Sequence, residues 1–205
     1  MAHRDNGYGV VVMTNSTFPD FNAEVIRAVA LAYEWDEYIP TYDKKNIESS
    51  LVAKISGRYQ ASNRVTTVFQ KDHKLFAKSI FNVDADELIR VSDSTFVTRN
   101  STQLIQFKPN VEDQSITMNN INRNDGAVTS SLVKTSTTQK EPIEFLVDGE
   151  LEKALQGYRA LREQDPGLLT VSEDYVDDLA EHFLNQGRAK LSQSTFKLNL
   201  SLIHI

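Results

Sequence analysis

The sequence predicts an α+β protein built around a small antiparallel β-barrel or sandwich, with helical segments before and after it. Residues 55–123 contain about seven short segments with strand-like alternation, separated at roughly 8–12-residue spacing by polar turns. Helical periodicity appears in residues 21–33 and returns from Pro142 onward. Strands in the middle and helices on both sides are the basis for this fold class.

The first segment, residues 1–36, predicts one strand and one helix. The continuous apolar run at residues 10–13 is typical of a strand that is covered on both faces. An apolar stripe then predicts a helix that Asp20 or Asn22 caps. One strand and one helix do not make a domain, so we expect either a terminal extension packed on the barrel or the tail of a larger domain. The stripe consists of Phe21, Val25, Ile26, Val29 and Tyr33.

Residues 37–54 are polar and mixed, and we interpret them as a linker to a barrel over residues 55–135. Val65, Thr67 and Phe69 alternate with their neighbours in the way expected of a half-buried strand. Residues 126–140 are rich in Ser, Thr, Lys and Gln, and they fit either a last strand or a loose connector. The other expected strands are residues 75–78, 87–91, 95–99, 103–108 and 115–121.

Residues 136–205 predict helices. Asp148 is a candidate N-cap for the first, Ser172 is a candidate N-cap for the second, and Gly187 suits the end of that second helix. A third helix is expected from Ala189 and carries Phe196. The stripe of the first helix is Leu151, Ala154, Leu155, Tyr158 and Leu161.

These helices contain an internal repeat of the tetratricopeptide kind. The same spacing of a glycine, a small residue, an aromatic residue and a terminal position occurs twice, and only the last position differs, with histidine in place of proline. The alternative is two ordinary amphipathic helical hairpins. The first set is Gly149, Ala154, Tyr158 and Pro166, and the second is Gly187, Ser192, Phe196 and His204.

The composition excludes several classes of function. A net charge of −6 without any basic block argues against nucleic acid as a partner. The absence of cysteine excludes disulfides, thiolate metal sites and a cysteine nucleophile. No apolar run is long enough to span a bilayer, and residues 1–6 lack the apolar core of a signal peptide. We expect either a cytoplasmic protein or one whose natural start lies upstream of Met1.

Residues 7–16, with the alanine-rich helix that follows to Trp35, resemble the end of the catalytic domain of serine beta-lactamase-related hydrolases. That family includes penicillin-binding-protein-like carboxypeptidases, D-aminopeptidases and esterases. Residues 56–59, 65–69 and 74–77 resemble the lipocalin-like barrel that is often appended to these hydrolases. The resemblance implies an exported (periplasmic or cell-surface) parent that cleaves an amide or ester through an acyl-serine.

The family's catalytic motifs do not fall in usable positions. Residues 131–134 and 194–197 match Ser-x-x-Lys, but both follow the family's closing strand and lie in the wrong order. Tyr-x-Asn does not occur, and Lys134-Thr135-Ser136 lacks the glycine of the Lys-Thr-Gly strand. We therefore assign no catalytic residue, no cofactor and no metal ligand. The family-like helix also departs from its pattern at residues 202–205, where a foreign tail is one interpretation.

Other candidate sites favour ordinary roles. The histidines lack metal-ligand spacing, and the acidic residues near position 85 and on the second helix are interpreted as solvated. Five phenylalanines either line an apolar barrel pocket or pack as core. These residues are His3, His73, His182 and His204; Asp84, Asp86 and Glu87; Asp174, Asp177, Asp178 and Glu181; and Phe69, Phe76, Phe81, Phe96 and Phe107.

Two functional hypotheses remain. In the first, the chain is a non-catalytic C-terminal fragment of the hydrolase, and the barrel and helices shape access of a small-molecule or peptide substrate or dock a protein partner. In the second, the chain is a stand-alone module that binds a ligand in its barrel and a partner through its helical repeat.

Overall fold

The computed structural model describes residues 9–13, 19–35, 45–98, 103–110, 115–122, 125–136 and 138–203. A closed antiparallel barrel of eight strands occupies the middle of the chain, and strand β1 pairs with strand β8 to complete the ring. This confirms the α+β class and the barrel, and it excludes the sandwich. The strands are β1 (Gly57–Ala61), β2 (Arg64–Lys71), β3 (Lys74–Ser79), β4 (Asp86–Arg90), β5 (Thr95–Val97), β6 (Gln103–Pro109), β7 (Ile116–Asn122) and β8 (Val128–Thr135).

Strand β8 resolves the alternative left open for residues 126–140. It pairs with both β7 and β1, so it is the closing strand of the barrel and not a connector. Its Ser- and Thr-rich composition hid it, because only Leu132 of its side chains is buried in the core. A barrel has no free edges, which removes the exposed ladder that an open sheet would present.

Two tight hairpins begin the barrel. Ser62 and Asn63 join β1 to β2, and Asp72 and His73 join β2 to β3. All four residues have positive φ, between 45° and 65°. Positive φ at both central residues is the type I′ arrangement, whose twist matches that of the flanking strands. Asn and Asp tolerate this left-handed conformation better than most residues.

One end of the barrel, here named the closed end, is filled with apolar side chains. Tyr59, Phe96 and Phe107 lie inside it, and the ring centroids of the two phenylalanines are 5.4 Å apart in an edge-to-face contact. Helix α2 (Ser49–Ile55) adds Val52 and Ile55 to this core. The segment predicted as a linker, residues 37–54, therefore contains most of a packed helix. Helix α2 is short and begins with two serines, so its sequence shows little helical periodicity.

Four further helices follow the barrel as two hairpins. The first hairpin consists of the short helix α3 (Pro142–Val147) and α4 (Leu151–Gln164). A 3-10 turn, Leu169–Val171, follows, and the second hairpin consists of α5 (Glu173–Asn185) and α6 (Ala189–Ile203). Gly149 and Gly187, each with positive φ, end α3 and α5 in the same manner. The residue after each glycine donates its N–H to the carbonyl five residues earlier, which is the Schellman pattern.

Of the three predicted helix N-termini, the N-cap is confirmed for α5 and wrong for the other two helices. Ser172 caps α5 by accepting a hydrogen bond from the N–H of Tyr175 at 3.3 Å. Asp148 lies at the C-terminal end of α3, and Glu150 precedes α4. The interpretation of Asp148 failed because the sequence pattern did not reveal α3 as a separate helix. Asp20 and Asn22 lie within helix α1 (Pro19–Ala32), which begins before either of them.

The N-terminal segment leaves apolar side chains uncovered. Val11 and Met13 are 83% and 89% exposed, and residues 10–13 are not assigned to a strand. Further along, Ala30 and Trp35 are buried, and the N–H of Trp35 donates to the Ala30 carbonyl at 2.8 Å to end the helix. Within the described ranges, no helix has both the length and the apolarity required to cross a membrane.

The barrel and the helices are joined through the β1–β2 turn. The side-chain Oδ1 of Asn63, which is 2% exposed, accepts a hydrogen bond from the N–H of Ile143 at 2.7 Å. The Tyr158 hydroxyl lies against Asn63, and burial raises its pKa. An ion pair between Arg58 and Glu144 at 2.5 Å adds a second connection. These contacts hold the helices beside the end of the barrel that α2 does not fill.

Candidate ligand-binding pocket

A pocket of about 370 Å³, here named the open-end pocket, occupies the end of the barrel away from α2. It has an apolar floor and a polar wall, and two aromatic residues from outside the strands stand at its mouth. The floor is Ala77, Ile105, Met118 and Leu132, the wall is Arg64, Thr66, Ser79, Asp86, Asn120 and Ser130, and the mouth is Phe81 and Tyr175.

The strand register brings these side chains together. Thr66 is directly opposite Ser79, and Asn120 is directly opposite Ser130. Directly paired residues share a face of the sheet, and every second residue of a barrel strand points inward. Met118, two residues before Asn120, is part of the buried core. The polar wall is therefore the layer of inward-facing residues that follows the apolar layer toward the mouth.

Hydrogen bonds order part of the polar wall. Asn120 donates its Nδ2 to Ser130 Oγ at 2.7 Å. The Ser79 hydroxyl oxygen accepts from the N–H of Phe81 at 3.3 Å, which fixes the start of the mouth segment. A hydroxyl that accepts one hydrogen bond still carries its own donor hydrogen. Ser79 and Ser130 can therefore each donate to a polar atom placed in the pocket.

Arg64 is the cation of the open-end pocket. Its guanidinium carbon lies 5.9 Å from the centroid of the Tyr175 ring, at the limit of a cation–π contact. Among the residues that the structure describes, no carboxylate forms an ion pair with this guanidinium. Asp86 also borders the pocket, but it is exposed and has an interaction of its own.

The five predicted phenylalanines separate into three positions. Phe96 and Phe107 fill the core at the closed end, as the packing interpretation expected. Phe69 and Phe76 stack at 5.8 Å on the outer face of β2 and β3, since their neighbours Val68 and Ala77 face inward. Phe81 alone borders the open-end pocket. The hypothesis of a pocket lined by all five is therefore wrong.

Neither Ser-x-x-Lys match forms a nucleophile and base. Ser131 and Lys134 are three residues apart on β8, so they point to opposite faces of the strand. Lys134 donates its Nζ to the Lys54 carbonyl at 2.6 Å, and partial desolvation lowers its pKa. Ser194 and Lys197 lie on α6, where Lys197 is exposed. A lysine in solvent or bound to a carbonyl is not placed to accept the serine proton.

The remaining candidates are not brought together either. His73 is exposed at a hairpin tip, and His182 contacts Gln186 at 2.8 Å, whereas His3 and His204 lie outside the described residues. Glu87 pairs with Lys74 at 3.2 Å and Asp84 is exposed. The acidic face of α5 is exposed as predicted, and the described part of the chain has no cluster of three or more potential metal ligands. That face comprises Asp174, Asp177, Asp178 and Glu181.

The residues of the polar wall were missed from the sequence. A signal was present, because Thr66 and Asn120 each stand two positions from a buried apolar residue on the same strand. A polar residue in phase with the core face predicts a pocket or a cavity rather than packing. An ordinary half-buried strand shows the same alternation, so the local pattern alone does not mark the point where the inward face passes from core to pocket.

Comparison with known proteins found no relative of this chain. No family model, no curated protein and no solved structure matched the chain.

Proposed function

We propose that the barrel, residues 57–135, binds a small organic molecule in the open-end pocket. The observation that supports this proposal is an inward-facing polar layer above an apolar floor, at the one end of the barrel to which α2 contributes no core residues. Ligand pockets are concave, mostly apolar and carry a few convergent polar groups, and the volume of about 370 Å³ is within the range for small ligands. Eight-stranded barrels are wide enough to hold one such molecule.

The residue types favour binding over packing. A barrel end that serves only as packed core is expected to contain apolar side chains. Phe96 and Phe107 pack in this way at the closed end. Polar groups in an apolar interior cost free energy unless they find partners. Thr66, Ser79 and Arg64 instead converge on an open volume that a ligand can enter. Their convergence is easiest to explain as recognition of a polar head group.

The proposal is tested by filling the pocket from one strand. Thr66→Phe places a ring in the open-end pocket, and Thr67→Phe places the same ring on the outer face of the same strand. Octanoate and octanol serve as probes, and binding is measured by calorimetry. We expect the unmodified chain and Thr67→Phe to bind at least one probe, and Thr66→Phe to bind neither, because its ring occupies the volume.

Thermal unfolding of both variants is the control for folding. Failure of the unmodified chain to bind either probe would contradict the proposal, as would equal binding by the two variants. If Thr66→Phe does not fold, chemical-shift changes in the unmodified chain upon probe addition decide the question. They should centre on Thr66, Met118 and Asn120.

We also propose that the chain is an accessory, non-catalytic part of a serine beta-lactamase-related hydrolase. The exposure of Val11 and Met13 supports this, because a run of apolar residues gains free energy only when neighbouring strands or helices cover it. In this proposal residues 1–36 belong to the closing strand and helix of the catalytic domain. The parent is exported, and the barrel and helices control access of its substrate.

The helical segment has a role in the same proposal, as a tetratricopeptide-like partner-binding element. The matching left-handed glycines at positions 149 and 187 support the repeat. An open groove of about 510 Å³ runs along α6. The side chains of Phe196 and Leu200 line this groove, and both are partly exposed. A protein partner that presents an amphipathic helix would cover these apolar groups.

The accessory role predicts that this chain does not turn over the parent's substrates. Incubation with nitrocefin, a D-amino-acid amide and a p-nitrophenyl ester should give rates equal to those without protein. Ser131 and Lys134 point to opposite faces of β8, and the Lys197 that follows Ser194 on α6 is exposed to solvent. Turnover that Ser131→Ala or Ser194→Ala abolishes would overturn this expectation, and an unchanged rate in both variants would assign any residual turnover to a contaminant.

A further inference from the structure

We propose that the ligand of the open-end pocket is a monocarboxylate with a short apolar body, and that Arg64 binds its carboxylate. This inference rests on the proposed binding function and adds the chemical class of the ligand. It starts from the partners of Arg64, which differ from those of a second arginine on the inward face of the barrel, Arg90.

The two inward arginines differ in their partners. The guanidinium of Arg90, near the closed end, donates to the carbonyls of Asn46 at 2.7 Å, Ser92 at 3.0 Å and Asp93 at 3.2 Å. Those bonds tie the chain together and leave little capacity for a ligand. Arg64 has no carbonyl or carboxylate partner among the described residues, and its guanidinium lies over the Tyr175 ring. The difference separates a structural arginine from one that is free to bind.

The contact with Tyr175 orients Arg64 without using its donors. A guanidinium that lies over an aromatic ring interacts through its face, and its N–H groups radiate in its own plane. Two parallel N–H groups match the two oxygens of a carboxylate. The backbone of Tyr175 is held in the first turn of α5 by the Ser172 cap. The contact with the Tyr175 ring therefore leaves the N–H groups of Arg64 available for a bidentate contact.

The charge around the pocket favours a single negative charge on the ligand. Arg64 contributes one positive charge, and Asp86 contributes a negative charge at the border of the pocket. A phosphate ester carries up to two negative charges, of which one would have no cation among the lining residues and would lie in the field of Asp86. A carboxylate is neutralised by Arg64 alone. A neutral ligand would leave the guanidinium without the anion that it fits.

The remaining lining residues suit the rest of such a molecule. Thr66 is two residues along the strand from Arg64, and Ser79 is opposite Thr66, so both hydroxyls are on the same face as the guanidinium. They can donate to the carboxylate oxygens. Behind them, Ala77, Met118 and Leu132 offer apolar surface for a short hydrocarbon body. Methionine adapts to irregular apolar ligands because its side chain is flexible.

The experiment compares octanoate with octanol, since the two share the chain and differ in charge at about pH 7. We expect the unmodified protein to bind octanoate more tightly than octanol. Arg64→Met should weaken octanoate binding roughly tenfold to hundredfold, because a charge-assisted pair is lost, and should change octanol binding by a much smaller factor. Arg64→Lys should give a smaller loss, since the charge remains without the bidentate geometry. Lys78→Met removes the same charge from the exposed outer face and is the matched control.

The outcomes separate this inference from the binding function. Equal affinity for octanol and octanoate, or octanoate binding that Arg64→Met does not change, overturns the carboxylate assignment while pocket binding stands. Loss of octanoate binding in Lys78→Met as well would indicate a general charge effect and would also overturn it. Absence of binding for both probes overturns the binding function itself. If Arg64→Met does not fold, the comparison of the two probes on the unmodified protein still decides the question.

Discussion

Replacing Asn63 with alanine should lower the free energy of unfolding by about 2–5 kcal/mol. Two losses add. Alanine at φ 65° is strained by about 1–2 kcal/mol. The buried N–H of Ile143 also loses its acceptor, which costs about 1–3 kcal/mol. Urea unfolding followed by circular dichroism measures the change.

Two control variants separate these losses. Asn63→Gly keeps the left-handed backbone and removes only the side chain, so its loss should be about 1–3 kcal/mol. His73→Ala places alanine at φ 61° in an exposed turn of the same type and reports the backbone strain alone. A loss in Asn63→Ala no larger than that in His73→Ala would contradict the role of Asn63 in holding α3 against the barrel.

Replacing Phe96 with alanine should cost about 3–5 kcal/mol of stability. The Phe96 side chain is fully buried at the closed end, and its ring meets the ring of Phe107 edge to face. Removal leaves a cavity that the surrounding strands cannot collapse, because each is held in register on both sides of the closed ring. Denaturant unfolding gives the free energy.

Phe69→Ala is the matched control for the closed end. It deletes the same side chain from the outer face, where Phe69 stacks on Phe76 and is half-buried. A smaller loss than that of Phe96→Ala is expected, since less apolar area returns to water and no cavity forms. Equal losses from the two variants would contradict the assignment of Phe96 to the interior and Phe69 to the exterior.

Local patterns predicted much of the fold. Alternation in residues 64–70 predicted strand β2, the polar residues 71–74 predicted the turn that follows, and Ser172 and Gly187 predicted both ends of α5. These signals depend on neighbours close in the sequence, where side-chain period, turn geometry and capping act. Helix α2 and strand β8 were not predicted with the same clarity. Their stability comes from burying a few side chains against distant strands, which leaves a weak local pattern.

The candidate site was the least predictable part. Arg64, Thr66, Asn120 and Ser130 are ordinary polar residues in the sequence, and no motif connects them. Their convergence depends on the register of the strands that carry them, β2, β7 and β8, and on the closure of the ring through β1. Tyr175 reaches the mouth only because α5 packs beside the barrel. Conversely, the Ser-x-x-Lys matches were visible in the sequence, but strand alternation directs Ser131 and Lys134 to opposite faces of β8, and Lys197 on α6 is exposed to solvent.

The sequence alone determined that this protein has strands in the middle, helices around them, and neither a cysteine nor a basic block. Periodicity and composition carry that information because they record which side chains meet water locally. The tertiary structure decided that the strands close into a ring, that one end is packed and the other open, and that Arg64 faces the open end. Those features depend on which strands pair and in which register, and pairing joins residues far apart in the chain.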